Sequence, residues 1–345
     1  MKIDIFNHVF PKAFFDRYIR GGAAGRDIGK RVAQIPLAVD LDQRFRVMDS
    51  LGDFRQVITL PTPPLEVLAD PAASPDLARA ANDGLAELVA KHPDRFPAFG
   101  ASLPLNNPDA CLAETVRAID ELGARGVMLY SNAAGVALDA PAFEPLFAEM
   151  AGRDLPIWLH PIRGAGFPDY QSETWSQYEI WWTFGWPYET SAAMARLVFA
   201  GIFDRHPGLK IITHHMGGMV PYFEGRVGHG WDQLGARTSD HDYVALRRSM
   251  RRRPIEYFRE FYADTALFGA AAATRCGLEF FGVDRVLFAT DMPFDPEPGL
   301  YARETIRVID GLSLTAEARD RIYRGNAERL LKLGAGAPAG AGTVG

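Results

Sequence analysis

Lys2-Ile3-Asp4-Ile5-Phe6-Asn7-His8 is a short apolar run that ends in a histidine, and segments of the same kind recur seven more times along the chain. The others lie at 55–60, 98–103, 126–130, 156–160, 210–214, 261–265 and 285–291, rich in β-branched and aromatic residues as strands are. Helical patterns separate most of them: residues 76–92, 109–122 and 189–205 carry apolar side chains at three- and four-residue spacing. Asn107-Pro108-Asp109 begins one of these helices with a capping side chain and a proline in its first turn. Strands alternating with helices are the mark of parallel βαβ units. Eight units with no break in composition predict one α/β domain over residues 1–333. The predicted fold is a single closed (β/α)8 TIM barrel with loop insertions on its C-terminal face, not an open doubly wound sheet.

The remaining composition narrows the class. A length of 345 residues suits an eight-fold barrel with insertions and buries a large core without disulfides. Two cysteines, Cys111 and Cys276, form no CxxC pair, which excludes a zinc ribbon or disulfide framework and points to a reducing cytoplasm. No apolar run approaches the ~18 residues of a membrane span, and the start lacks a signal-peptide pattern. A net charge of −6 argues against nucleic acid or an anionic membrane as partner. The broken basic run Arg247-Arg248 with Arg251-Arg252-Arg253 reads as a solvated or interface-facing helix surface. No GxGxxG or GxxxxGK[ST] follows any strand, which removes the usual nucleotide-binding folds. Residues 334–345, almost all Gly, Ala, Pro, Thr and Val, read as a disordered tail.

Two stretches interrupt the pattern. Residues 21–41 are too irregular to be the first barrel helix alone. Residues 162–188 carry Phe167, Tyr170, Trp175, Tyr178, Trp181, Trp182, Phe184, Trp186 and Tyr188 on a strand-to-helix loop, the active face of a barrel. Such an insertion either closes over a flat substrate, with Trp186 among the stacking candidates, or packs against a partner subunit.

The chemistry-bearing residues sit at strand ends. His8 ends the first strand, His160 the fifth, His214-His215 the sixth and Asp291 the eighth. C-terminal strand ends converge around a barrel axis, so two imidazoles and one carboxylate make a three-ligand set for zinc or a similar ion. A lone histidine at a strand end is usually structural, but several together favour a metal or catalytic cluster.

These segments also carry a resemblance. Ile3-Asp4-Ile5-Phe6-Asn7-His8, Trp158-Leu159-His160-Pro161, Thr213-His214-His215-Met216-Gly217-Gly218-Met219-Val220-Pro221 and Phe288-Ala289-Thr290-Asp291-Met292-Pro293-Phe294 resemble the strands of the amidohydrolase superfamily. They look like its subgroup of aminocarboxymuconate-semialdehyde and resorcylate-type decarboxylases, over residues 1 to about 333. The resemblance implies metal ligands at His8, His160 and Asp291, a catalytic His215 flanked by His214, and a homodimer. It also points to Arg44 and Arg226 as grips for a substrate carboxylate, Arg226 reaching in from a neighbouring subunit. Where the family has a histidine or glutamate ligand, this chain has Phe6, which cannot coordinate an ion. Phe6 is then an apolar wall beside the ion or a contact to the substrate ring. Asp4, on the same strand face by alternation, reads as a buried hydrogen-bond acceptor or as a partner of the ligands.

The implied activity is metal-dependent, non-oxidative decarboxylation of a small aromatic or dienoic carboxylic acid, with His215 or Asp291 delivering the proton. The expected ion is Zn2+, with Mn2+ as the alternative. A hydrolase or hydratase using the same ligands is the rival enzyme. A barrel that has lost its metal and only binds a ligand is the third reading, for which Phe6 alone argues.

Overall fold

Strands buried on both faces read as continuous apolar runs, and β1 (Lys2–His8) is buried at six of its seven positions. The structure, a computed structural model, describes residues 1–20, 27–239 and 241–334; the tail expected beyond Gly334 lies outside the described residues. The other strands are β2 (Phe54–Thr59), β3 (Ala98–Phe99 and, after Gly100, Ala101–Ser102) and β4 (Val127–Tyr130). They continue with β5 (Pro156–His160), β6 (Lys210–Thr213), β7 (Tyr262–Asp264) and β8 (Val286–Leu287). Each pairs in parallel with its sequence neighbour, from β1 through β8. The ring closes between β8 and β1: Ile5 N–H donates to the Phe288 carbonyl at 3.0 Å and Asp291 N–H to the Phe6 carbonyl at 3.0 Å. Asn7 and Met292 form a further parallel bridge. The fold is a (β/α)8 barrel.

Outside lie α1 (Leu41–Ser50), α2 (Ser74–Lys91), α3 (Pro108–Asp120), α4 (Glu144–Arg153) and α5 (Gly185–Phe199). They are followed by α6 (Pro254–Phe258), α7 (Ala271–Phe281) and α8 (Leu300–Asp310). Asp40 caps α1 by accepting from Gln43 N–H, and Asn107 caps α3 by accepting from Ala110 N–H. The helix that follows β1 in the ring, α1, thus starts only at Leu41, after the helices Lys12–Arg20 and Asp27–Val32 and a 3-10 turn at Pro36–Ala38. No helix among the described residues is long and apolar enough to cross a membrane.

The barrel is filled, not hollow. Trp158 of β5 is wholly buried in its centre, with Ile3, Ile5, Phe6, Met128, Tyr130, Ile212, Leu287 and Ala289 around it. Its indole N–H donates to the Ile5 carbonyl at 3.0 Å, so its one polar atom is satisfied. Room for the ring comes from Gly100 and Gly126. A Cβ at Gly126 (φ +150°) would overlap the Pro156 carbonyl and stand 2.6 Å from Trp158 Cζ3. Gly126→Ala is therefore expected to destabilise by roughly 1–3 kcal/mol or more. Gly152→Ala, in α4 with open space around it, should be neutral or gain up to about 1 kcal/mol. Urea midpoints check the pair; a Gly126→Ala protein as stable as the parent would remove Trp158 from the role of barrel filler.

Candidate active site

Five strands deliver polar side chains to one end of the barrel. His8 and His160 are the last residues of β1 and β5, His214 and His215 follow β6, Asp264 ends β7 and Asp291 follows β8. His8, His160, His214 and Asp264 are essentially inaccessible and Asp291 is 4% exposed. Two adjacent histidines on a regular strand would face opposite ways. Here His215 (φ +52°) and Met216 (φ +55°) take left-handed backbone, and the two imidazoles end with centroids 3.8 Å apart. Such conformations cost about 1–3 kcal/mol each and concentrate at functional sites. Gly218 (φ +62°) makes the turn fit, since a Cβ there would overlap the Pro187 carbonyl.

Three of the four imidazoles are anchored alike. His8 Nδ1–H donates to the Leu60 carbonyl at 3.2 Å, because a carbonyl can only accept. His160 Nδ1–H donates to the Pro161 carbonyl at 2.5 Å, and His214 Nδ1–H to Asp264 Oδ2 at 2.5 Å. The ε-nitrogens are left to face inward. His8 Nε2 stands 3.2 Å from Asp291 Oδ1, and His214 Nε2 3.6 Å from the same oxygen. His215 differs: its Nδ1 is buried without a partner, and its Nε2 lies 3.9 Å from Asp291 Oδ2.

Burial lowers the pKa of His8 and takes that of His160 well below the ordinary value, so both are neutral. Burial and the neighbouring His214 also lower that of His215. For His214 burial acts downward, but the Asp264 carboxylate outweighs it and the pKa rises to about 9. Burial alone would raise Asp291; the surrounding imidazoles, His214 first among them, take it well below the usual carboxylate range instead. Neutral imidazoles with fixed tautomers around an ionised carboxylate are the donor set that a divalent ion requires. With Nδ1 protonated, His8 presents a lone pair to Asp291 Oδ1, an arrangement that asks for a cation between them. The residues fit a metal. Among the described residues, His214, His215 and Asp291 bring ligand atoms within 4.8 Å of one another, and the rings of His8 and His160 meet at an angle of 69° with centroids 5.6 Å apart.

A cleft of about 670 Å³ opens above this floor, where His215 and Asp291 line it. Its walls are Trp181, Trp182, Trp186, Phe268, Phe294 and Tyr301, with Lys30, Arg31 and Glu179 among its polar lining. Trp186 sets its edge against His160 at 5.5 Å and lies at 30° to the His215 ring with centroids 6.5 Å apart. Its N–H donates to the Arg163 carbonyl at 3.1 Å, which holds the aromatic insertion over the site. Phe6 is fully buried, stacked on His214 at 3.9 Å and 19° and edge-on to His8 at 5.3 Å. It walls the imidazole cluster and does not line the cleft.

Several sequence expectations change. Arg44 is fully buried and spent inside the protein: it donates to Gln56 Oε1 (2.8 Å), the His8 carbonyl (2.7 Å), the Leu37 carbonyl (3.2 Å) and Asn7 Oδ1 (2.7 Å). It therefore positions the end of β1 and does not grip a substrate. Asp4 does not share the face of Phe6 and His8, because the β1–β2 register slips between Asp4 and Asn7 and breaks the alternation. It accepts from Gln56 (3.1 Å) and from the Thr290 hydroxyl (2.6 Å) and N–H (3.1 Å), and burial pushes its pKa up to about 7. Arg226 is exposed and lines a separate apolar groove with Met219, Val220, Phe223, Val227 and Trp231, away from this chain's own cleft. Asp264 is the residue that sequence reading missed; its signal was a carboxylate ending a strand, as Asp291 does.

A barrel whose C-terminal mouth gathers four histidines and two buried aspartates under an aromatic cleft is a metal-type barrel enzyme. The amidohydrolase family pattern matches residues 31–333. The chain is 34% identical to a gamma-resorcylate decarboxylase of Rhizobium sp. over 304 residues, covering 85% of this chain and 87% of that one. It is 30% identical over 349 residues to 2-amino-3-carboxymuconate-6-semialdehyde decarboxylase of Dictyostelium discoideum, with 96% and 92% covered. A solved dihydroxybenzoic acid decarboxylase from Polaromonas sp., with bound manganese and 2-nitroresorcinol, superimposes with a TM-score of 0.77 at 28% identity, covering 96% and 97%. The chain belongs to the amidohydrolase family.

The His214–Asp264 pair makes stability depend on pH. A histidine with a raised folded-state pKa stabilises fully below its unfolded value of about 6.5 and loses that contribution as pH climbs through about 9. Metal-free protein is expected to show a falling urea midpoint across that window. In His214→Phe that part of the slope should vanish, and an unchanged slope would mean that the pair does not carry the charge.

Proposed function

We propose that this chain is a metal-dependent, non-oxidative decarboxylase of an aromatic or dienoic carboxylic acid. The observation that carries the reading is His215 beside Asp291 on the floor of an aromatic cleft, next to imidazoles whose tautomers are already fixed. The named activities of the matched relatives support it. His8, His160 and Asp291 would hold the ion; imidazole donors favour Zn2+, and Mn2+ is the ion of the solved Polaromonas relative. A divalent ion there supplies positive charge to the substrate carboxylate and an adjacent oxygen.

Loss of carbon dioxide breaks the bond between the carboxyl group and its carbon and leaves an electron pair on that carbon, which must take up a proton. His215 borders the cleft with its side chain 11% exposed, its Nε2 3.9 Å from Asp291 Oδ2, so it can carry that proton to the substrate carbon. Trp186, which lines the cleft at 30° to the His215 ring, offers a planar substrate a stacking face. The other aromatic walls exclude water from the carbanion-like carbon. Arg226 reaches a cleft only if a second copy brings it there, so we assign it to substrate binding across a homodimer. Cys111 and Cys276 are both free, in keeping with a reducing cytoplasm.

Metal-loaded protein given ortho-hydroxybenzoates or carboxymuconates is expected to release carbon dioxide and, in D2O, to place one deuterium on the vacated carbon. His215→Ala should lower kcat by roughly 10²–10⁴-fold with metal content unchanged. Hydrolysis of amides or esters without carbon dioxide release would assign the chain to the hydrolases instead.

A further inference from the structure

We propose that His214 is itself a metal ligand in this chain and supplies through Nε2 the donor that Phe6 cannot. The inference rests on the metal-dependent reading above and adds a residue to the ligand set. Its first support is the anchoring pattern. His8, His160 and His214 each give Nδ1–H to an acceptor outside the cluster, namely the Leu60 carbonyl, the Pro161 carbonyl and Asp264. A carboxylate or carbonyl on the far nitrogen is how proteins orient an imidazole toward an ion. His215, which carries no such anchor, keeps the proton-transfer role.

The second support is an orphan. His214 Nε2 is buried without a hydrogen-bond partner, in a side chain with no exposure. An ion pair with Asp264 accounts for Nδ1 alone. An unpaired Nε2 gives up its hydration with nothing in return, and 3.6 Å to Asp291 Oδ1 is too long for a hydrogen bond. Asp291 Oδ1 has His8 Nε2 at 3.2 Å and His214 Nε2 at 3.6 Å, and His214 and Asp291 belong to the group, with His215, whose ligand atoms all lie within 4.8 Å of one another. The third support is Phe6. Its ring lies flat on His214 at 3.9 Å, so the side chain lacking a donor packs the imidazole that has one to spare.

Metal-free protein titrated with Zn2+ by calorimetry tests this. His214→Phe is expected to weaken Zn2+ binding by 100-fold or more, and Asp264→Asn by roughly 10–100-fold, while His215→Ala binds as the parent does. Equal affinity in all four proteins would overturn the assignment of His214 and leave the decarboxylase reading standing. A parent that binds no Zn2+ or Mn2+ would remove both. A readout free of substitutions is the 15N spectrum of histidine-labelled parent. Zn2+ should move the His214 Nε2 resonance to a metal-bound position alongside those of His8 and His160. A His214 ring that stays protonated on both nitrogens in the metal-saturated protein would refute the proposal.

Discussion

A carboxylate with almost no access to water organises this molecule. Asp291 is 4% exposed and ionised among imidazoles from β1 and from the end of β6, and His214 does most to hold its charge. Its backbone is tied down together with its side chain. Asp291 N–H donates to the Phe6 carbonyl across the seam between β8 and β1, and the residue takes a left-handed φ of +59°. Barrel closure and site assembly are thus one event, since the bond that closes the ring sets the carboxylate against His8.

That seam is tied from outside the barrel as well. Arg44 of α1 donates to the carbonyl of His8 and to Asn7, while Gln56 links Arg44 to Asp4, and Asp4 accepts from Thr290 next to Asp291. Burial lowers the Arg44 pKa to about 10, which leaves it a cation. The network thereby joins the residue bearing one imidazole to the residue preceding the carboxylate. Removing a partner from a buried charged network costs about 3–5 kcal/mol, which sets how firmly the His8–Asp291 spacing is held.

How much of this was legible in the sequence depended on whether the signal was local. Strand ends at His8, His160, His215 and Asp291 could be read because a barrel strand is a short apolar run, and the residue after the run lies at the mouth. Arg44 was misread because two of its four acceptors are main-chain oxygens and the other two, on Asn7 and Gln56, lie far from it in sequence, and an arginine shows none of this in its neighbours. Asp4 was misplaced because one extra residue in β1 between Asp4 and Asn7 inverts the alternation, and Ile5-Phe6 gives no sign of a bulge. Asp264 was missed because it is the last residue of a three-residue strand and lies inside the apolar run 261–265, not at its end. His214 was seen only as the neighbour of His215, since nothing in His-His-Met-Gly-Gly shows that the backbone turns left-handed and brings both rings to one place.

The centre proposed here is an imidazole-rich cage closed by one carboxylate, with His215 as the proposed proton carrier beside it. X-ray absorption at the metal edge of the loaded protein tests that arrangement most directly, because outer-shell scattering counts imidazole rings. Three imidazoles and one carboxylate oxygen are expected, with a spectrum unchanged by His215→Ala. A shell of oxygen donors with no imidazole scattering, or one that loses a ring in His215→Ala, would contradict it.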